Sequence, residues 1–434
     1  MLKAGDAICC RKRPPLTTDA SRITNELPDL SSSLGDRGVR QRAVTLPHLA
    51  NYRYVCPLLF SHHFTMFCLR KTVLLTALTL LYCLAGAQSA SKPQKPNLSI
   101  GGHYLYGSFL TNQPKAAYLR DSYSYFGELN LEVQTDGSKP WQVANGLPQW
   151  GVGLHYGNLG SKQHMGDLVA LFSYMNTPLF KYRAVQSKFR IGAGVGWIEK
   201  PWDAETNHKG VLLGSHLNAY LHLLWQNEFR ITPRLFASAG LGFSHLSNGG
   251  STLPNLGVNT PMVQGGLRYS FHEPRIEPTN LKGSFSRRPF YRVFVGGASK
   301  QYPWVDGKRY LITIINAEAV KRTSYKHQWA AGVMVTHNPS LEFDPSGLLS
   351  IKKEGYRVQA GVYGTYERLF GKMAIPVQVG AYVYNRDRFP VVYQQIGLRY
   401  QATPRLAASA LLKTHLGKAD FINVGIGYTF KKTR

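Results

Sequence analysis

Cysteine is absent from most of this chain. All five, Cys9, Cys10, Cys56, Cys68 and Cys83, lie upstream of Gln88, so residues 88–434 can form no disulfide framework, cysteine metal site or thiol nucleophile. Acidic residues are scarce as well, 24 against 51 Lys and Arg, for a formal net charge of +27. Residues 1–87 hold 11 of the basic and 5 of the acidic residues, a net of +6, which leaves +21 downstream. Such a balance wants anionic partners. Nucleic acid is not expected, since no nucleic-acid motif accompanies the charge. Phosphate-bearing lipid at a membrane surface fits better. No apolar run reaches the length of a membrane helix, and no window past residue 87 keeps a helical period.

What precedes Gln88 reads as processing material. Arg70 and Lys71 lead into an apolar segment from Thr72 to Leu84, followed by Ala85-Gly86-Ala87. A charged region, a short apolar core and small residues are the parts of a secretory signal peptide, here residues 66–87, with cleavage expected after Ala87. Tyr82 before Cys83 argues against lipoprotein processing. Residues 1–65 carry no sustained period and are expected to be an upstream extension outside the fold.

Downstream, apolar and polar residues alternate. Tyr123, Tyr125, Leu129, Leu131 and Val133 face one way while Ser124, Glu128, Asn130, Glu132 and Gln134 face the other. Eight such segments are expected at 97–109, 122–135, 148–157, 166–176, 186–197, 214–231, 234–247 and 260–272. A polar, proline-bearing stretch at 273–287 follows, then about eight more segments in 288–434, the last ending in an aromatic, Phe430. Ten-residue alternating segments with terminal aromatics are the signature of a transmembrane antiparallel β-barrel. The all-β fold is therefore expected as an eight-stranded barrel at 88–272 followed by a degenerate second repeat, or as one barrel of about sixteen strands. The repeat is visible in Ile231-Thr232-Pro233-Arg234-Leu235, which returns as Ala402-Thr403-Pro404-Arg405-Leu406. Each copy then reaches a histidine, His245 or His415, but only the first has a serine two positions on.

That first copy carries the candidate site. In the seventh segment Leu235, Ala237, Ala239, Leu241 and Phe243 form one column, and His245 and Ser247 continue it. An imidazole and a hydroxyl at the end of a lipid-facing stripe are costly unless they meet headgroups or ester bonds. Residues two apart on a strand share a face at about 7 Å between Cα atoms, so a base and a nucleophile can cooperate there. Backbone N–H groups of Gly249-Gly250 could receive a developing oxyanion. With both termini periplasmic, strand seven ends outside, at the lipopolysaccharide leaflet.

The segment His245-Leu246-Ser247-Asn248, then Pro254-Asn255, Gly257 and a polar residue at 259, resembles the active-site segment of the lipid A 3-O-deacylases, outer-membrane barrels also grouped as acyloxyacyl hydrolases. The resemblance implies an ester hydrolase of the Gram-negative outer membrane, without cofactor, acting on lipid A of the outer leaflet. It implies Ser247 as nucleophile, His245 as base, an acid at position 259 orienting the histidine, and an oxyanion hole from Asn248 and the Gly250 backbone. Asn259 departs from that pattern: an amide can hold the imidazole tautomer but cannot stabilise an imidazolium as a carboxylate does.

Other candidates are weaker. Glu128 and Glu132 share a lumen face, where pairing with a base such as Arg268 is the usual role. His103, His155, His216 and His222 show no metal-ligand spacing, and no metal is expected. Gly192, Gly194 and Gly196 lie in strand pattern and are read as tight barrel packing. The alternatives to an esterase are a noncatalytic barrel that binds lipopolysaccharide, a structural membrane protein or a pore; homodimer formation stays open.

Overall fold

A computed structural model describes residues 96–430 apart from 111–113, 274–275, 277–284, 303–306, 343–353 and 387–389. The described residues fall within a second unit of the chain, Lys92–Arg434. The expectations of an upstream extension at 1–65 and a signal peptide at 66–87 lie outside the described residues, and all that follows concerns the second unit.

Period-2 alternation has folded into sixteen strands that close twice. The first eight are β1 (Asn97–Gly107), β2 (Ser124–Gln134), β3 (Gln149–Asn158), β4 (Asp167–Tyr182), β5 (Val185–Ile198), β6 (Leu217–Arg230), β7 (Leu235–Ser247) and β8 (Val258–Ser270). Each pairs antiparallel with its neighbour, and β8 returns to β1, from Ser99 opposite Ser270 to Gly107 opposite Met262. The second eight are β9 (Phe290–Gln301), β10 (Arg309–Arg322), β11 (His327–His337), β12 (Val358–Phe370), β13 (Met373–Tyr384), β14 (Val392–Gln401), β15 (Leu406–His415) and β16 (Lys418–Thr429), closed by β16 against β9. The single sixteen-stranded alternative is thereby excluded. Eight strands enclose just enough space for their own inward side chains, so each half fills and closes by itself. β4 runs six residues beyond its expected end because a register shift near Pro178 absorbs the proline and lets the hairpin with β5 continue to Tyr182.

Outward columns are apolar: Leu129, Leu241, Val263, Val295, Val379 and Ile426 are all exposed. Such a belt is stable against lipid, and no helix among the described residues is long and apolar enough to cross a membrane. Inward columns hold charge. In the first barrel Glu128 meets Arg190 at 2.6 Å and His155 at 2.6 Å, and Glu228 pairs with Lys188 and with Arg268 at 2.9 Å. Glu132 lies 3.7 Å from Arg268, the pairing expected of it. In the second barrel Arg292 and Arg399 each bridge Glu318 and Glu367. All these side chains are buried, and opposite charges in contact offset the large cost of removing each from water. The glycines of β5 serve close packing as expected: a Cβ on Gly194 would fall 2.1 Å from the Leu171 carbonyl oxygen.

The repeat is structural as well. Thr232 Oγ1 accepts the N–H groups of Arg234 and Leu235 at 3.3 and 3.0 Å, and Thr403 Oγ1 accepts those of Arg405 and Leu406 at the same distances. Register corrects one detail. The tenth residue of β7 is Ser244 and the tenth of β15 is His415, so His415 corresponds to Ser244, one place before His245. Its ring bonds Tyr382 Oη at 2.9 Å, and it has no part in a second copy of the site.

Candidate active site

β7 enters from the four-residue turn 231–234 and climbs toward the end of the barrel where the connections are long: 108–123, 159–166, 199–216 and 248–257. Its inward residues Ser238, Ser244 and Leu246 are buried in the lumen, which leaves His245 on the outward column with Ala239 and Leu241. Pairing with β8 sets Asn259 directly opposite His245. Their side chains meet, Asn259 Oδ1 lying 2.7 Å from His245 Nδ1. With the amide oxygen accepting from Nδ1–H, Nε2 is left unprotonated, the form a general base requires. Among the described residues no carboxylate pairs with His245, so Asn259 alone orients the ring.

Position 257 shapes the other side of the imidazole. Gly257 has φ +73°, and a Cβ there would approach His245 Cε1 to 3.1 Å. A side chain would be strained by the backbone and would press on the ring, so glycine is required on both counts.

Ser247 ends β7 and is only 7% exposed. Its Oγ accepts the Gly249 N–H at 3.1 Å and an Asn255 Nδ2 hydrogen at 3.0 Å. No hydrogen bond joins Ser247 to His245. Hydrogen bonds between a base and a nucleophile are often absent or long without substrate and tighten only when it is bound. Asn255, quoted above only as part of a motif, is thus the residue that sequence reasoning missed. It also accepts the Asn248 N–H at 3.2 Å and so holds both Ser247 and its neighbour.

The two expected oxyanion donors are engaged within the loop. Asn248 Nδ2 donates to Ser215 Oγ at 3.0 Å and to the Thr252 carbonyl at 2.9 Å, and Gly250 N–H donates to Asn248 Oδ1 at 3.0 Å. Gly249 and Gly250, at φ +64° and +80°, make that tight turn available. The loop is tied down further where the Leu212 carbonyl accepts the N–H groups of Leu256 and Gly257. Asp203, on the same 199–216 connection, accepts the Thr206 N–H and hydroxyl and the Glu205 N–H, which hold its carboxyl below the usual range.

Deeper in the lumen, closure gathers histidines that the sequence scatters. Ligand atoms of Glu128, His155 and His222 lie within 4.8 Å of one another. Arg190 and His155 already take the two oxygens of Glu128. A dication there would break the His155–Glu128 bond and stand beside the Arg190 guanidinium, so Glu128 and His155 read as part of the charge network, while both ring nitrogens of His222 are buried without a hydrogen-bond partner. His103 joins the group from β1, its Nδ1 3.3 Å from Glu128 Oε1 and 3.0 Å from Asn130 Nδ2, whereas His216 bonds the Ile198 carbonyl apart from it.

Residues 126–268 match the family model described as lipid A 3-O-deacylase (PagL), and residues 289–432 match that of the acyloxyacyl hydrolase C-terminal domain. No curated protein matches the chain. Among solved structures, the outer membrane enzyme PagL is similar at 18% identity over 38% of this chain and 97% of its own, with a TM-score of 0.28. Neisserial surface protein A is similar at 11% identity over 40% of this chain and 97% of its own, also at 0.28. A Rhodopseudomonas blastica porin is similar at 10% identity over 77% of this chain and 100% of its own, at 0.17. Scores this low leave the weight on the two family matches, which cover β2 to β8 and the whole of the second barrel. On those matches and the paired eight-stranded barrels, the chain belongs to the PagL family of outer-membrane lipid A deacylases.

Proposed function

We propose that the first barrel hydrolyses an ester-linked acyl chain of lipid A, with Ser247 as nucleophile and His245 as base. The observation that carries the reading is the imidazole held by Asn259 with Nε2 left to act as base, beside a serine on the same lipid-facing column. His245 takes the Ser247 proton as Oγ attacks the ester carbonyl. The tetrahedral oxyanion takes a hydrogen bond from Gly250 N–H, which must turn from Asn248 Oδ1, and from Asn248 Nδ2, which must release Ser215 or Thr252. His245 then passes its proton to the departing sugar oxygen, and water, activated by the same histidine, frees the fatty acid from Ser247. The exposed cations Lys200, Lys209, Lys308, Arg309 and Lys418 stand at the long-loop end, where the phosphates of an outer-leaflet lipid would lie. The orientation that places this end outside follows the habit of long outer and short inner turns.

The noncatalytic reading, a barrel that only binds lipopolysaccharide, draws support from the amide at position 259 and from the missing Ser247–His245 bond. Mass spectrometry of lipid A from cells exporting this chain, beside Ser247→Ala and His245→Ala, separates the two. Loss of one acyl mass with the parent and with neither variant is the expected result. An unchanged spectrum with the parent folded in the outer membrane would favour binding without catalysis.

A further inference from the structure

The loop that carries Asn248, Gly250 and Asn255 is held from two sides, and one of them is the other barrel. Gln301, the last residue of β9, donates its backbone N–H to the Gly250 carbonyl at 3.0 Å. Its side-chain Oε1 accepts the Leu253 N–H at 2.7 Å. The same amide donates Nε2–H to the Gly307 carbonyl at 3.1 Å, which fixes its orientation. Gln301 is buried at 5% exposure, so these bonds are shielded from competing water. Beside it, Arg309 Nη2 donates to Thr252 Oγ1 at 3.2 Å. Ile422 of β16 approaches so closely that a Cβ on Gly249 would fall 2.6 Å from its Cγ1.

From these contacts we infer that Gln301 of the second barrel is a positioning residue for the oxyanion loop of the first, and that the second barrel forms one wall of the active site. The inference rests on the esterase reading above for its catalytic consequence, while the clamp itself stands on geometry. Two adjacent glycines at 249–250 give the loop more freedom than any other dipeptide would. Unheld, it would spread over conformations in which the Gly250 N–H and Asn248 amide point elsewhere, and a misplacement of about 1 Å at such a site costs on the order of 100-fold in rate. Hydrogen bonds to the Gly250 carbonyl and to the Leu253 N–H sit on either side of the turn and leave the Gly250 N–H itself to exchange partners. Gln301 hydrogen-bonds to neither Ser247 nor His245, so its effect passes through the loop. No other residue outside the first barrel bonds to both arms of that turn among the described residues.

The test compares the full chain, purified from outer membranes, with Gln301→Met, which keeps length but loses the acceptor, and Gln301→Glu, which keeps an acceptor for the Leu253 N–H. Hydrogen exchange of amides 248–257 is read alongside fatty-acid release from lipid A. For Gln301→Met, exchange in the loop should rise about tenfold, the range one buried hydrogen bond commands, with strand amides unchanged. The kcat should fall about tenfold with KM within about twofold, and Gln301→Glu should recover part of both, since it keeps the acceptor for the Leu253 N–H but loses the donor to the Gly307 carbonyl. Unchanged loop exchange in Gln301→Met overturns the clamp, and a change confined to KM overturns its role in positioning the oxyanion donors. An inactive parent whose loop still loosens in Gln301→Met sinks the esterase reading and keeps the clamp. Should Gln301→Met fail to fold, Arg309→Ala on the surface decides: faster exchange at 250–253 supports the clamp, and unaltered exchange overturns it.

Discussion

Asn259 Oδ1 and His245 Nδ1 lie 2.7 Å apart across a directly opposed pair of β7 and β8. The ladder itself holds the ring, since neither residue can shift register without turning its side chain to the other face. The amide supplies orientation without charge. Asn259→Asp, which is isosteric, should therefore raise kcat for fatty-acid release by about tenfold or more, because a carboxylate stabilises the imidazolium formed in the transition state. Asn259→Ala should lower kcat by a similar factor. Single-turnover kinetics on purified lipid A checks both, and a slower Asn259→Asp would show that this histidine is not charged during the reaction.

Asn255 reaches Ser247 Oγ and the Asn248 N–H from the far side of the loop. Asn255→Ala leaves the nucleophile with the Gly249 N–H alone and should reduce kcat by roughly ten- to 100-fold with little change in KM. Gly257→Ala acts on His245: its left-handed backbone and the nearby imidazole should cost about 1–2 kcal/mol of stability and displace the His245 ring. Thermal unfolding and kcat should fall together for Gly257→Ala, and kcat alone for Asn255→Ala.

The lumen networks make a separate prediction about stability. Glu228→Gln strips Lys188 and Arg268 of the carboxylate they share, and Glu367→Gln does the same to Arg292 and Arg399. Each should destabilise its own barrel by about 3–5 kcal/mol, the usual cost of leaving a buried charge unmatched. Heat-dependent gel mobility of the folded barrels measures it. Since Arg190, Tyr174, Phe126 and Phe172 fill the first lumen, planar-bilayer recordings of the parent should show no ion-conducting steps.

Thr232 and Thr403 cap equivalent turns with the same pair of hydrogen bonds. Thr232→Ala and Thr403→Ala should each cost about 1 kcal/mol, and by nearly the same amount. Unequal losses measured by denaturant unfolding would mean that the two turns share a sequence without sharing a structural role.

Much of the fold was legible because a strand writes its two faces into alternate residues. Leu129, Leu131 and Val133 announced the lipid side of β2, and Glu128 and Glu132 its lumen. The site motif was equally local: His245 and Ser247 share a column on one strand. The repeat misled at its end. Local likeness from Thr403 to Ala410 suggested that His415 stood for His245, whereas strand register makes it the counterpart of Ser244.

The sequence by itself determined the strands, which face of each meets lipid, and the column on which His245 and Ser247 stand, because these depend only on the period-2 geometry of an extended backbone. Tertiary structure alone decided that the strands close eight by eight, that Glu128 meets Arg190 and His155, that Asn255 bonds Ser247, and that Gln301 of the neighbouring barrel bonds the 248–257 loop. Each is a meeting of residues distant along the chain, set by closure and register, and alternation along one strand carries no information about which strand will lie beside it.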